Sequence, residues 1–184
     1  MARQGSECGG RLGQPEAVES RGYGAGTGGR ACDILAGITH DAPEAIEGLS
    51  YRLVESNAHR RSEALAAMTE AGLATTVRIA HPFDPLPSFT GVLLGNEVAD
   101  AFPAHRLIVR GGQLRECFVT TDGHGFGWIE NNRSTEVASL PEIEAIASTL
   151  PDGAMLEVSP AAATWFTAEA THLERGLALI IDYG

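Results

Sequence analysis

The sequence predicts an α/β fold: a mostly parallel sheet covered by helices on both faces. Two observations carry the prediction. Short strand candidates alternate with helical patterns along most of the chain. Several of those strands are near-continuous apolar runs, the pattern of strands buried on both faces. A third observation is the glycine-rich stretch "RGYGAGTGGRACDIL", residues 21–35, which separates a strand candidate from a helix. Bare backbone ahead of a helix N-terminus is where such folds admit a nucleotide.

The elements follow in order. Residues 1–16 show neither helical nor alternating periodicity and read as an irregular lead-in, leaving residues 17–184 as one domain. "AVESRGY" is a short strand candidate, and Arg21-Gly22 make it a poor buried one. "GRACDILAGI" places Ala31, Ile34, Leu35 and Ile38 at helical spacing. "YRLVE" is a strand, and "SNAHRRSEALAAMTEAG" a helix capped by Ser56 or Asn57 and ended by Gly72. "TTVRIA" is a strand, followed by a loop with Pro82, Pro85 and Pro87; "TGVLLGNEV" is a strongly apolar strand.

Residues 106–121 form an inserted hairpin around Gly111-Gly112, with a second turn near Asp122-Gly123. "SLPEIEAIASTL" is a helix with Pro141 in its first turn. "AMLEVS" is a strand, "PAAATWFTAEATHLERG" a helix stopped by Gly176, and "LALIIDYG" a final buried strand. A final central strand would leave its ladder uncovered, so the chain is expected to be a fragment, incomplete at both ends.

Composition narrows the function. A formal net charge of -11 would repel a phosphate backbone, so nucleic acid is not an expected partner. Cys8, Cys32 and Cys117 have no C-x-x-C spacing, which disfavours a disulfide scaffold and a zinc site. No apolar run reaches the roughly 20 residues of a membrane span, and the N-terminus lacks a signal-peptide pattern. A soluble cytoplasmic protein is expected.

The glycines admit several ligands. A Walker A loop fails because no lysine lies nearby. Gly24, Gly26 and Gly29 satisfy the dinucleotide pattern G-x-G-x-x-G, and Gly24-Ala25-Gly26-Thr27-Gly28 satisfy the G-x-G-x-G turn of S-adenosylmethionine-dependent methyltransferases. Under either reading Glu55, at the end of "YRLVE", is the acid that holds the ribose hydroxyls. A plain glycine-rich loop is the third possibility. The turn alone does not choose.

Four blocks downstream do. "YRLVESNAHRRSEAL", "GVLLGNEVADAFPAHRL", "LEVSPAAATWFTAEATHLERG" and "LALIIDYG" occur in an order that resembles the MidA-like class I methyltransferases. The most specific piece is "NEVADAFP", Asn96 to Pro103, which matches that family's N-E-x-x-D-A-x-P signature. The resemblance runs from about Gly24 to Gly184. It implies a Rossmann-like methyltransferase sheet and S-adenosylmethionine as methyl donor. It also implies a protein arginine as acceptor, since the mitochondrial members methylate arginine during assembly of respiratory complex I. A eukaryotic member would then be mitochondrial, and the acceptor a complex I subunit.

By the same resemblance, Gly24, Ala25, Gly26, Thr27 and Gly28 approach the methionine part of the donor. Glu55 and Ser56 serve its ribose, and Asp84 lies near the adenine. Asn96 and Glu97 face the transferred methyl group. Glu97 and Asp100, three residues apart, would share a helical face and hold the guanidinium, which needs carboxylates to orient it.

Other residues take plainer readings. His105 reads as a packing residue, and His81 and His124 lack a second metal ligand. Trp165 and Phe166 are expected in the core, and Trp128 as a packing lid. Glu157, Asp182 and Tyr183 end strands and could reach the same crevice. One departure from the family stands out. Methyltransferase strands leading into this turn usually carry an acid two residues before the first glycine, to meet the donor's amino group; here that position is Gly22, and Glu19 is five residues before Gly24. The departure admits an alternative, an inactive relative that serves as a binding or assembly module. A nicotinamide-dependent oxidoreductase is the remaining one.

Overall fold

A computed structural model describes residues 18–183. The predicted lead-in, residues 1–16, lies outside them. The described residues divide into two compact units: residues 18–95 with 172–179, and residues 96–171 with 180–183.

The first unit is built on a five-stranded sheet. Its strands are β1 (Val18–Tyr23), β2 (Leu49–Val54), β3 (Val77–Ala80), β4 (Phe89–Asn96) and β9 (Leu173–Ile181), in the order β3-β2-β1-β4-β9. β1 is parallel to both β2 and β4, and β2 is parallel to β3. This is the half-sheet of a doubly wound nucleotide-binding fold. Helices α1 (Gly29–Asp41), α2 (Pro43–Ile46) and α3 (Ala58–Glu70) connect the first strands. Ala31 and Leu35 of α1 and Ala64 and Met68 of α3 close on Tyr51 and Leu53 of β2 as one core. Asn57, not Ser56, caps α3: its side chain accepts from the amides of His59 and Arg60.

β1 is central, contrary to its reading as a poor strand. Its difficult residue, Arg21, is fully buried, lies 3.9 Å over the Phe89 ring, and donates to Glu19 and to the Pro87 carbonyl. Glu19 is shared with Arg52, at 2.9 and 3.0 Å. Burial alone would raise the Glu19 carboxyl, yet the two guanidiniums hold it below its ordinary value. The sheet also draws strands very close at two glycines. Gly91 and Gly176 have φ of 151° and 147°; a Cβ on Gly91 would strike the Glu19 carbonyl, and one on Gly176 the Gly91 carbonyl.

Two readings near the end of the sequence change. The helix expected to run to Gly176 is α6 (Pro160–Ala170) and stops earlier, because Leu173–Gly176 belong to β9. β9 is an edge strand with mostly exposed residues, not a buried one.

The second unit carries a four-stranded antiparallel sheet, β7-β6-β5-β8. β5 (His105–Arg110), β6 (Gln113–Thr121) and β7 (Phe126–Asn131) form the hairpin and its extension across the two predicted turns. β8 (Met155–Val158) pairs with β5, so "AMLEVS" belongs to this sheet and not to the parallel one. Helices α4 (Thr135–Ala138) and α5 (Pro141–Ala147) cover it. Their Val137, Ile143 and Ala147 pack on Leu107, Val109 and Leu114. No helix among the described residues is long and apolar enough to cross a membrane.

Candidate functional site

The glycine turn lies between β1 and α1, at the carboxyl end of the central strand. Gly24, Gly26 and Gly28 have φ of 61°, 57° and 86°, a region closed to most side chains. A Cβ on Gly26 would meet nothing within 4 Å, so open space faces the turn there. Gly28 is the N-cap of α1 without a side-chain cap, and a Cβ on it would lie 2.9 Å from Met68 Cε. Its lack of a side chain therefore serves two ends, the αL cap and the approach of α3. Ala25 is half-buried and Thr27 exposed.

Glu55 follows β2 and is 5% exposed. Oε2 accepts from the Gly26 amide at 2.9 Å, and Oε1 accepts from the Asn57 amide at 2.8 Å. Ser56 is exposed, and its hydroxyl lies 3.4 Å from Glu55 Oε1. Arg61 Nη1 donates to the carbonyls of Glu55 and Ser56 at 2.8 and 2.7 Å. The acid and the glycine turn, 29 residues apart in sequence, thus form one hydrogen-bonded unit.

Asp84 sits in a tight turn after β3. It accepts from the His81 amide at 2.7 Å and returns its own amide to the His81 carbonyl at 3.0 Å. Next to it Phe83 is 91% exposed, a residue that sequence reasoning passed over. Its apolarity gave no signal, because only the turn places it outward.

In the second unit Asn96 ends β4 and Glu97 follows with φ of 53°. Glu97 therefore does not open a helical turn as expected. A short 3₁₀ turn starts at Ala99 and contains Asp100. The two acids still converge, and Asp182 joins them: carboxylate oxygens of the three lie within 4.8 Å of one another. Asp182 Oδ2 accepts from the Asp100 amide at 3.1 Å, and Glu97 Oε1 accepts from the Tyr183 amide at 3.3 Å. Clustered carboxylates of this kind are acceptor-only groups suited to a cationic N–H donor.

His105 belongs to a structural ion-pair group, in keeping with its plain reading. Its Nδ1 is 2.7 Å from Glu116 Oε1 and its Nε2 3.3 Å from Glu136 Oε2. Glu116 is 3% exposed. Burial pushes its carboxyl up, but the Ser134 amide at 2.6 Å and the His105 ring outweigh that and leave it lowered.

The aromatic readings change. Trp128 is 59% exposed with the Arg106 guanidinium 4.9 Å from its ring, so it closes nothing. Phe166 is 37% exposed, and Trp165 is half-buried against Phe102 at 5.5 Å; neither lies in a hydrophobic core. Glu157 is exposed in the antiparallel sheet, in register with Arg106.

A sheet of order β3-β2-β1-β4-β9, parallel across its first four strands, with a glycine turn tied to an acid at the end of β2, defines a nucleotide-binding protein of the Rossmann-like class. The chain belongs to the family described as "Putative S-adenosyl-L-methionine-dependent methyltransferase", whose model matches residues 1–184. Among solved structures it is similar to a Burkholderia thailandensis protein bound to S-adenosyl-homocysteine, with 28% identity and a TM-score of 0.73 over 91% of this chain. A native structure from the same organism gives 26% identity and a TM-score of 0.71, also over 91%. The chain spans 42% and 44% of the length of those two proteins. No curated protein matches it.

Proposed function

We propose that the protein is an S-adenosylmethionine-dependent methyltransferase and that its acceptor is the guanidinium of a protein arginine. The observation that carries the donor half is the buried Glu55 carboxylate, held at 2.9 Å from the Gly26 amide beside open space. That pair fits a nucleoside. The carboxylate has lone pairs left for ribose hydroxyls, and the bare turn lets a thioether approach the backbone. Family membership and the S-adenosyl-homocysteine in a relative point the same way.

The donor would supply an activated methyl on a sulfonium. Transfer to nitrogen breaks the S–CH₃ bond, forms an N–CH₃ bond and releases one guanidinium proton. Such a reaction needs in-line positioning more than acid-base power. Asn96 and Glu97 in the family signature, with Asp100 and Asp182 beside Glu97, are the groups we assign to holding the cationic acceptor. The acceptor is a protein partner, neither nucleic acid nor membrane.

A second reading, an inactive relative acting as a binding or assembly module, is favoured by Gly22 at the position of the family acid. Calorimetric titration with S-adenosylmethionine, S-adenosyl-homocysteine and NAD separates the cases. The proposal expects binding of the first two only. NAD binding would overturn it in favour of the oxidoreductase, and no binding in favour of the module. Glu55→Ala should weaken S-adenosyl-homocysteine by roughly 100-fold, the loss of two charge-assisted hydrogen bonds. Unchanged affinity would refute the role of Glu55.

A further inference from the structure

The space that an acid at position 22 would occupy is not empty. A Cβ on Gly22 would lie 2.5 Å from Tyr51 Oη and 3.2 Å from Tyr51 Cζ. Tyr51 reaches there from β2, is 2% exposed, and its ring tip therefore stands where the family acid would project. A small cavity opens at this point, lined by Gly22, Tyr23, Ala25, Arg30, Ala31, Tyr51 and Leu94. All belong to the first unit, and the cavity adjoins the first turn of α1.

The polarity of this cavity is the reverse of a carboxylate site. Burial raises the pKa of the Tyr51 phenol and the nearby Arg30 charge only partly offsets this, so the hydroxyl keeps its proton at neutral pH and can donate. Arg30 adds a guanidinium with donors alone. Neither side chain has a hydrogen-bond partner among the described residues. Tyr51 and Arg30 both bring donors to the cavity, and no carboxylate is among the cavity residues. A carboxylate would meet two donor side chains there, whereas an ammonium would meet no carboxylate.

We infer that the amino-acid end of the methyl donor is read here through its carboxylate, received by Tyr51 Oη and Arg30, in place of an acid that reads its ammonium. Tyr51 and Arg30 are thus ligand-binding residues that select a nucleoside thioether bearing an α-carboxylate. The inference rests on the donor-binding reading of the glycine turn.

The test compares two ligands by calorimetry: S-adenosyl-homocysteine, and its decarboxylated analogue S-adenosyl-3-thiopropylamine, which keeps the ammonium and lacks the carboxylate. Wild-type protein should bind the former more tightly. Tyr51→Phe and Arg30→Gln should each weaken S-adenosyl-homocysteine by about tenfold and leave the analogue unchanged. Phe keeps the buried ring and Arg30 is exposed, so both variants should fold, which thermal unfolding checks. Equal wild-type affinity for the two ligands, equal losses for both, or no loss in either variant would overturn the inference while leaving the donor reading intact. Wild-type protein that binds neither ligand overturns the donor reading itself.

Discussion

Gly22→Ala is the smallest change that probes how β1 and β2 share the space beneath the turn. Gly22 is absent from the residues with positive φ, so the backbone accepts alanine. The difficulty lies in the contact: the new methyl would stand 2.5 Å from Tyr51 Oη, closer than such atoms approach without displacement. Tyr51 is 2% exposed and has little room to retreat. Overpacking of this kind costs ~1–3 kcal/mol. Replacing glycine in a strand returns about 0.5–1 kcal/mol through the unfolded chain. The clash wins, with a net loss of about 1–2 kcal/mol. For a chain of this size that lowers Tm by roughly 2–8 °C. In a Tyr51→Phe background the offending oxygen is gone, and the nearest ring atoms lie at 3.2 and 3.3 Å. There the alanine should be neutral or slightly stabilising, a coupling of about 1–2 kcal/mol between the two sites. Urea unfolding of the four proteins in the cycle measures it. An equal loss of stability from Gly22→Ala in both backgrounds would refute the reasoning.

Two further perturbations test other parts of the fold. Gly176→Ala sets a Cβ against the Gly91 carbonyl at a φ of 147°, and should cost at least about 3 kcal/mol; a wild-type urea midpoint would overturn the close-approach account. Glu116→Gln should destabilise by ~1–3 kcal/mol at pH 7. Because the folded Glu116 carboxyl lies below 4.5, its contribution is present above that value and lost as the pH falls through the folded pKa. The gap between wild type and variant should therefore close in acid, and a gap independent of pH would refute it.

The strands of the parallel sheet were legible because each is a short apolar run with breakers at its ends, and α1 and α3 because their buried residues recur at helical spacing. β1 departs from its sequence pattern for a physical reason. A buried arginine looks prohibitive until its partners are known, and one of them, the Pro87 carbonyl, lies 66 residues away. The same holds for α6, whose pattern ran on to Gly176 since nothing local reveals that Gly176 is needed against Gly91. β8 reads as an apolar strand in isolation; only its pairing with β5 decides which sheet it joins. At the candidate site, Glu55 and the glycines could be named from their positions after strands. Tyr51 and Arg30 could not, because a tyrosine in a strand gives no sign of whose missing side chain it replaces.

Gly22 and Tyr51 also constrain how this protein can change over generations. A single nucleotide substitution turns a glycine codon into one for aspartate or glutamate, so the family acid is genetically close at hand. Sterically it is out of reach, because that side chain would arrive where the Tyr51 hydroxyl already stands. Recovering the acid demands that the tyrosine shrink first, and on the reading above that step costs donor affinity before any compensation is available. The pair acts as a lock: while the phenol stands at this spot, packing keeps the acid out.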